Sequence, residues 1–192
     1  MWQGRIVNFD ATQIIQKELE PREKLLWAGQ PAQGIKLRGS DAFMIPFGFL
    51  WGGFAIFWEY SAMQSGAPFF FLLFGIPFVL VGLYIMFVRF YVEAKQRGNT
   101  FYGVTDERVV IASGLSRKKV TSLNLRTLTD ISLSESSSGS GSITFGNSSP
   151  FASMFGGMSW PGMEQYLGPR FDLINNAKQV YQQIREAQKN AT

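Results

Sequence analysis

The 192-residue sequence has no cysteine and no histidine. Without cysteine there is no disulfide framework, no thiolate zinc site and no cysteine nucleophile. Without histidine, Ser-His-Asp and Cys-His catalysis, imidazole metal ligation and a switch built on an ordinary imidazole all fall away. Charge is scarce as well, at 17% of residues against about 25% in an average soluble protein. Aromatic residues fill the gap: there are 18 phenylalanines, gathered between Phe43 and Phe90. The net charge of +4, beside such apolar runs, reads as a topology signal rather than a nucleic-acid footprint, so nucleic acid is not an expected partner.

Ala42–Trp58 and Pro68–Val88 carry no charged residue. At about 1.5 Å per residue they reach roughly 26 and 32 Å, against a hydrocarbon core of about 30 Å, so both qualify as membrane spans, the first only with help from a neighbour such as Tyr60. Lys24, Lys36 and Arg38 precede the first span and Arg89, Lys95 and Arg97 follow the second, while the connector Glu59–Ala67 has neither Lys nor Arg. Both termini are therefore expected in the cytoplasm. No short apolar segment with a small-residue cleavage site opens the sequence, so no removable signal peptide is expected. Gly48 and Gly52 have the small-xxx-small spacing that lets helices approach closely, either within the hairpin or between subunits. Pro46 and Pro77 are candidate kinks. Glu59 falls at the outer end of the first span and reads as an interfacial anion.

Ahead of the spans, "NFDATQIIQKELEP" spells a helix, with Asp10 as N-cap, Gln13 as its capping-box partner, Phe9 stapled onto Ile14 and Pro21 as the stop. "KLLWAGQPAQGIKL" then reads as strand and turn. After the spans the period changes to two: Phe101–Val104, Val109–Ala112, Val120–Leu125, Thr129–Leu133 and Ser142–Phe145 are strand candidates, which suggests a compact antiparallel sheet or barrel. "SSSGSGS" is expected as a hairpin tip, since it lacks the spacing of a phosphate loop. The tail from Pro169 to Lys189 is assigned to an amphipathic helix with Phe171, Ile174, Tyr181 and Ile184 on one face, capping the sheet. Between sheet and cap lies "PFASMFGGMSWPGM", whose Met154, Phe155, Met158 and Trp160 mark an apolar contact loop.

The order of these parts resembles the bacterial PH-like membrane proteins, in which a pleckstrin-homology-like domain is joined to a two-span hairpin. The residues that carry the resemblance are "EKLLWAGQP" before the membrane, "IPFGFLWGGFAIFW" and "FGIPFVLVGLY" within it, and "TFYGVTDERVVIASG", "SLNL" and "GSGSITFG" after it, from about Glu23 to Phe145. The resemblance implies a seven-stranded, barrel-like sheet closed at one end by the C-terminal helix, with "KLLWAGQP" as a strand contributed from before the spans. It also implies homo-oligomers, and it brings no catalytic residues.

The expected fold is thus an α+β membrane protein: an N-terminal helix and first strand (1–40), a transmembrane helical hairpin (41–90) and a PH-like cytoplasmic antiparallel β-barrel or sheet with a C-terminal helix (91–192). The leading function is a membrane-anchored, self-associating interaction or scaffold module at the cytoplasmic face of a bacterial inner membrane, with the bilayer, copies of itself and other membrane or cytoplasmic proteins as partners. The alternatives are recognition of anionic lipid headgroups by Arg117, Lys118 and Lys119, which sit in one strand turn, and a subunit of an oligomeric complex or pore. Asp106, Glu107, Asp130 and Glu135 could in principle supply paired carboxylates for catalysis, but the first two lie in a turn signature, where a structural role is commoner. No enzyme activity, cofactor or metal is expected.

Overall fold

A computed structural model describes residues 9–37, 41–114, 117–137, 139–146 and 168–191. The chain divides into two compact units. One combines the segment before residue 35 with most of the chain after residue 93, and the other holds the intervening helices.

The sheet unit opens with α1 (Phe9–Gln16) and β1 (Leu25–Gly29). Helix α1 already includes Phe9 and stops at Gln16, so Asp10 lies within the first turn instead of capping it, and the helix ends well short of Pro21. Six more strands follow: β2 (Thr100–Thr105), β3 (Arg108–Ser113), β4 (Lys119–Asn124), β5 (Ile131–Glu135), β6 (Ser140–Phe145) and β7 (Arg170–Asn175), then helix α5 (Ala177–Ala191). They form two antiparallel sheets, β1-β2-β3-β4 and β5-β6-β7. The expected barrel is therefore not closed. A 3-10 turn, Leu125–Thr127, carries the chain from the first sheet to the second, and at the other side Ala32 donates its N–H to the Leu173 carbonyl at 2.8 Å.

β1 comes from before the helical unit, and it pairs with β2 from after it, Ala28 opposite Gly103. The helical segment is therefore an insertion between two neighbouring strands. β3 reads "RVVIAS" and is buried on both faces: Val109 turns into the main core, while Val110 and Ala112 pack against Ile15 of α1. Gly103 makes the α1 contact possible, because a Cβ there would come within 2.5 Å of Ile15 Cγ2.

The main core is centred on Phe171, which is fully buried and stacks on Tyr102 with ring centroids 4.5 Å apart, with Phe145 edge-on at 5.1 Å and Trp27 at 5.7 Å. Phe171 and Ile174 belong to β7, not to the closing helix as their spacing suggests. Their partners Ile143 and Gly141 are two residues apart on β6, whereas they themselves are three apart, so β7 carries one extra residue. Leu173, at φ 50°, takes up that bulge. The bulge turns a period-two face into a period-three one that reads as helix. Helix α5 then covers the core with Ala177, Val180, Ile184 and Ala187, and Gln188 Nε2 ties it down by donating to the carbonyls of Leu125 (3.1 Å) and Leu128 (2.6 Å).

In the helical unit, α2 (Asp41–Gln64, 24 residues) is followed by a continuous helical run from Phe69 to Gly98. That run comprises α3 (Phe69–Leu83), a π turn (Tyr84–Val88) and α4 (Arg89–Gly98), whose last residues enter the sheet unit. Both α2 and the Phe69–Gly98 run are long and apolar enough to cross a membrane. At about 1.5 Å per residue α2 measures roughly 36 Å, so it needs no added residue to reach across.

Candidate functional site

Three clusters collect the polar and close-packed residues of these units. The first is built by the β2–β3 turn, "TDER", around the segment that precedes β1. Arg108 donates from Nε to Glu23 Oε1 and from Nη2 to Glu23 Oε2, both at 2.9 Å, a two-pronged pair. Its Nη2 also donates to the Glu18 carbonyl at 3.1 Å and its Nη1 to Ser122 Oγ at 3.2 Å. The Glu23 carboxylate further accepts from Thr105 Oγ1 at 2.7 Å and from the Glu20 N–H at 2.8 Å. Asp106 accepts from the Lys24 N–H at 2.9 Å and returns its own N–H to the Lys24 carbonyl at 3.1 Å. Burial pushes the Glu23 carboxyl up, but the hydrogen bonds from Arg108, Glu20 and Thr105 outweigh it and hold the group below the usual carboxylate range. The same contact with Glu23 raises Arg108. Asp106 thus stitches the chain together, as a turn residue does.

The second cluster is the basic turn between β3 and β4. Arg117 and Lys119 are exposed, Lys119 already as the first residue of β4 opposite Ser113, and Lys118 is joined to Glu18 by an ion pair. The three cations are brought to one hairpin, but one of them already has its carboxylate.

The third is the seam between α2 and α3. Along α2 the inward residues are Asp41, Met44, Gly48, Gly52, Ala55 and Glu59, a spacing of three and four; from the facing helix come Gly75, Gly82, Ile85 and Arg89. Gly48 and Gly52 face the π turn: added Cβ atoms would come within 2.9 Å of Ile85 Cγ2 and 2.8 Å of Met86 Cε. Gly82 lies against Gly52, with 2.7 Å from its added Cβ to the Gly52 Cα. These glycines are thus occupied inside the hairpin, where their missing side chains let the backbones approach. Gly53, by contrast, has nothing within 4 Å.

Both ends of the seam are polar, which the sequence reading missed. At the end where α2 begins, Arg89 Nη2 donates to Asp41 Oδ1 at 2.6 Å, with both side chains under 10% exposed, and the guanidinium sits 4.6 Å from the Phe90 ring centre. Opposite charges directly flanking the two apolar runs were the available signal. Toward the other end Glu59 is buried, at 8% exposure, against Gly75 and beside Trp58. The charge-free run ends at Trp58, whereas α2 runs on to Gln64 and so includes Glu59.

The contact loop of Met154, Phe155, Met158 and Trp160 lies outside the described residues. Among the described residues no cluster of carboxylates is arranged to hold a metal ion.

Compared with known proteins, the chain matches a family model described as "Bacterial PH domain" over residues 54–188, from the second half of α2 into α5. No curated protein and no solved structure matches.

Proposed function

The chain belongs to the bacterial PH domain family, and from that footing we propose that it is a membrane-anchored interaction module, a binding protein rather than an enzyme. In this reading the helical hairpin crosses a bacterial inner membrane and the sheet unit lies in the cytoplasm. The observation that carries the proposal is the surface of the hairpin: Phe43, Leu50, Phe54, Phe57, Phe69 and Phe70 are each about two-thirds exposed or more. A surface of that size and composition suits lipid and not water. Lysine and arginine flank the hairpin on the sheet side and are missing from its turn, which supports termini in the cytoplasm.

The sheet unit then presents strands β4 and β5, each at the end of its sheet, to a further strand from a client or from a second copy of the chain. Headgroup recognition by Arg117, Lys118 and Lys119 is the weaker reading, because Glu18 neutralises the middle cation.

The absence of cysteine makes the topology directly testable. Cysteines placed singly at Ser65, in the hairpin turn, and at Ser137, between β5 and β6, are to be probed in intact cells with a membrane-impermeant maleimide. We expect the Ser65 position to react at once and the Ser137 position only after permeabilisation; the reverse pattern, or release of the chain by alkaline carbonate, would overturn the proposal. Light scattering of the full chain in detergent tests self-association, and a monomer would remove that part.

A further inference from the structure

Glu59 has a buried carboxyl oxygen without a partner among the described residues. Its Oε2 is buried and makes no hydrogen bond. The atom lies in a notch left by Gly75, where an added Cβ would stand 2.9 Å from Glu59 Cδ and 2.6 Å from the Trp58 ring. Among the described residues, the elements packed around it offer no countercharge. Helix α3, Phe69–Leu83, contains no ionisable residue, and the π turn adds only Tyr84. On α2 itself the other ionisable groups are Tyr60 and Asp41. Arg89, the cation at the seam, is bound to Asp41 and stands fourteen residues from Gly75, about 21 Å along the helix. Gly75 is in turn about 9 Å of helix from the start of α3, which in the membrane reading puts it below the edge of the hydrocarbon layer.

A lone carboxylate in that setting costs many kcal/mol, and a group so placed marks a functional position in a membrane helix. Among the described residues nothing beside the carboxyl cancels that charge. A carboxyl buried without a countercharge is neutralised by taking up a proton. We propose that the Glu59–Gly75 notch is a proton-binding site within the hairpin, loaded from the aqueous side of the Ser65–Pro68 turn. This inference rests on the membrane reading above, whose own test, carbonate extraction and maleimide labelling, is independent of it.

The experiment uses the full chain reconstituted in lipid. Infrared spectra at neutral pH are expected to contain the carbonyl stretch of one protonated carboxyl per chain, shifted in heavy water and lost in Glu59→Gln. A wild-type spectrum without that band, or a band that persists in Glu59→Gln, overturns the proposal even if the chain is firmly inserted. A second measurement needs no variant. A hydrophobic carbodiimide adds to a protonated carboxyl: the acid proton goes to one nitrogen, the carboxyl oxygen bonds the central carbon, and the O-acylisourea rearranges to a stable N-acylurea with nothing released. Peptide mapping should place this adduct on Glu59 and find no adduct there from a water-soluble carbodiimide. Equal labelling by both reagents, or none by the hydrophobic one, refutes the site.

Discussion

Removing the charge of Glu23 tests how the sheet unit is held together. In Glu23→Gln one carboxylate oxygen becomes an amide nitrogen that points a donor at the Arg108 guanidinium. The wild-type carboxylate is 2% exposed and Arg108 20%, and the carboxylate accepts four hydrogen bonds, two of them from Arg108. A buried, charge-assisted pair of this kind costs about 3–5 kcal/mol to break, and the partial exposure of Arg108 places the loss near the lower figure, about 3 kcal/mol. For a chain of this size that corresponds to a fall in melting temperature of roughly 6–12 °C. Thermal melts of the full chain in mild detergent, followed by the fluorescence of Trp27 and its neighbours, read it directly. The pH dependence has a definite sign. The folded Glu23 carboxyl is held below its unfolded value, about 4.3, so its contribution is fully present above that pH and is lost as pH falls through the folded value. The gap between wild type and Glu23→Gln should therefore be constant from pH 8 to about 5 and shrink on further acidification. A gap below about 3 °C at neutral pH, or one undiminished at the acid end, would refute the reasoning.

The seam between the helices makes two further predictions. Gly52→Leu should force α2 away from Met86 and Gly82 and lower the resistance of the hairpin to detergent unfolding by about 1–3 kcal/mol, while Gly53→Leu, on the open side of the same helix, should leave it unchanged. Asp41→Leu should leave Arg89 as an uncompensated buried charge and reduce the steady-state amount of protein in the membrane by several-fold, and Asp41→Leu combined with Arg89→Leu should restore most of it, as immunoblots would show.

Much of this organisation was legible because it follows from single periodicities. Two charge-free runs with cations on one side, and short strands of alternating polarity after them, need no tertiary information. Where the reading failed, two periods or two contexts competed. Phe171 and Ile174 are three apart because of the bulge at Leu173, and a spacing of three belongs to helices unless the partner strand is known. Helix α1 gives way at Gln16 because the chain must turn there to bring Glu18, Glu20 and Glu23 onto Arg108, a demand that sits far away in the sequence. The burial of Glu59 against the facing helix depends on the missing side chain at Gly75, sixteen residues away on another helix, which the length of an uncharged run does not report. Gly48 and Gly52 were visible as close-approach residues, but what approaches them, Ile85, Met86 and Gly82, depends on the register of the two helices.

The pairing of β1 with β2 across the inserted helices also sets an order on synthesis. β1 leaves the ribosome early and has no strand to pair with until Thr100–Thr105 has followed both helices. Trp27, Glu23 and α1 lack their long-range partners until then, since Phe171, Arg108, Gly103 and Val110 all lie downstream. Closure of the sheet therefore reports that the hairpin has been made and passed. A chain whose hairpin stalls keeps an unpaired strand and an uncovered apolar face, the kind of surface that quality control recognises.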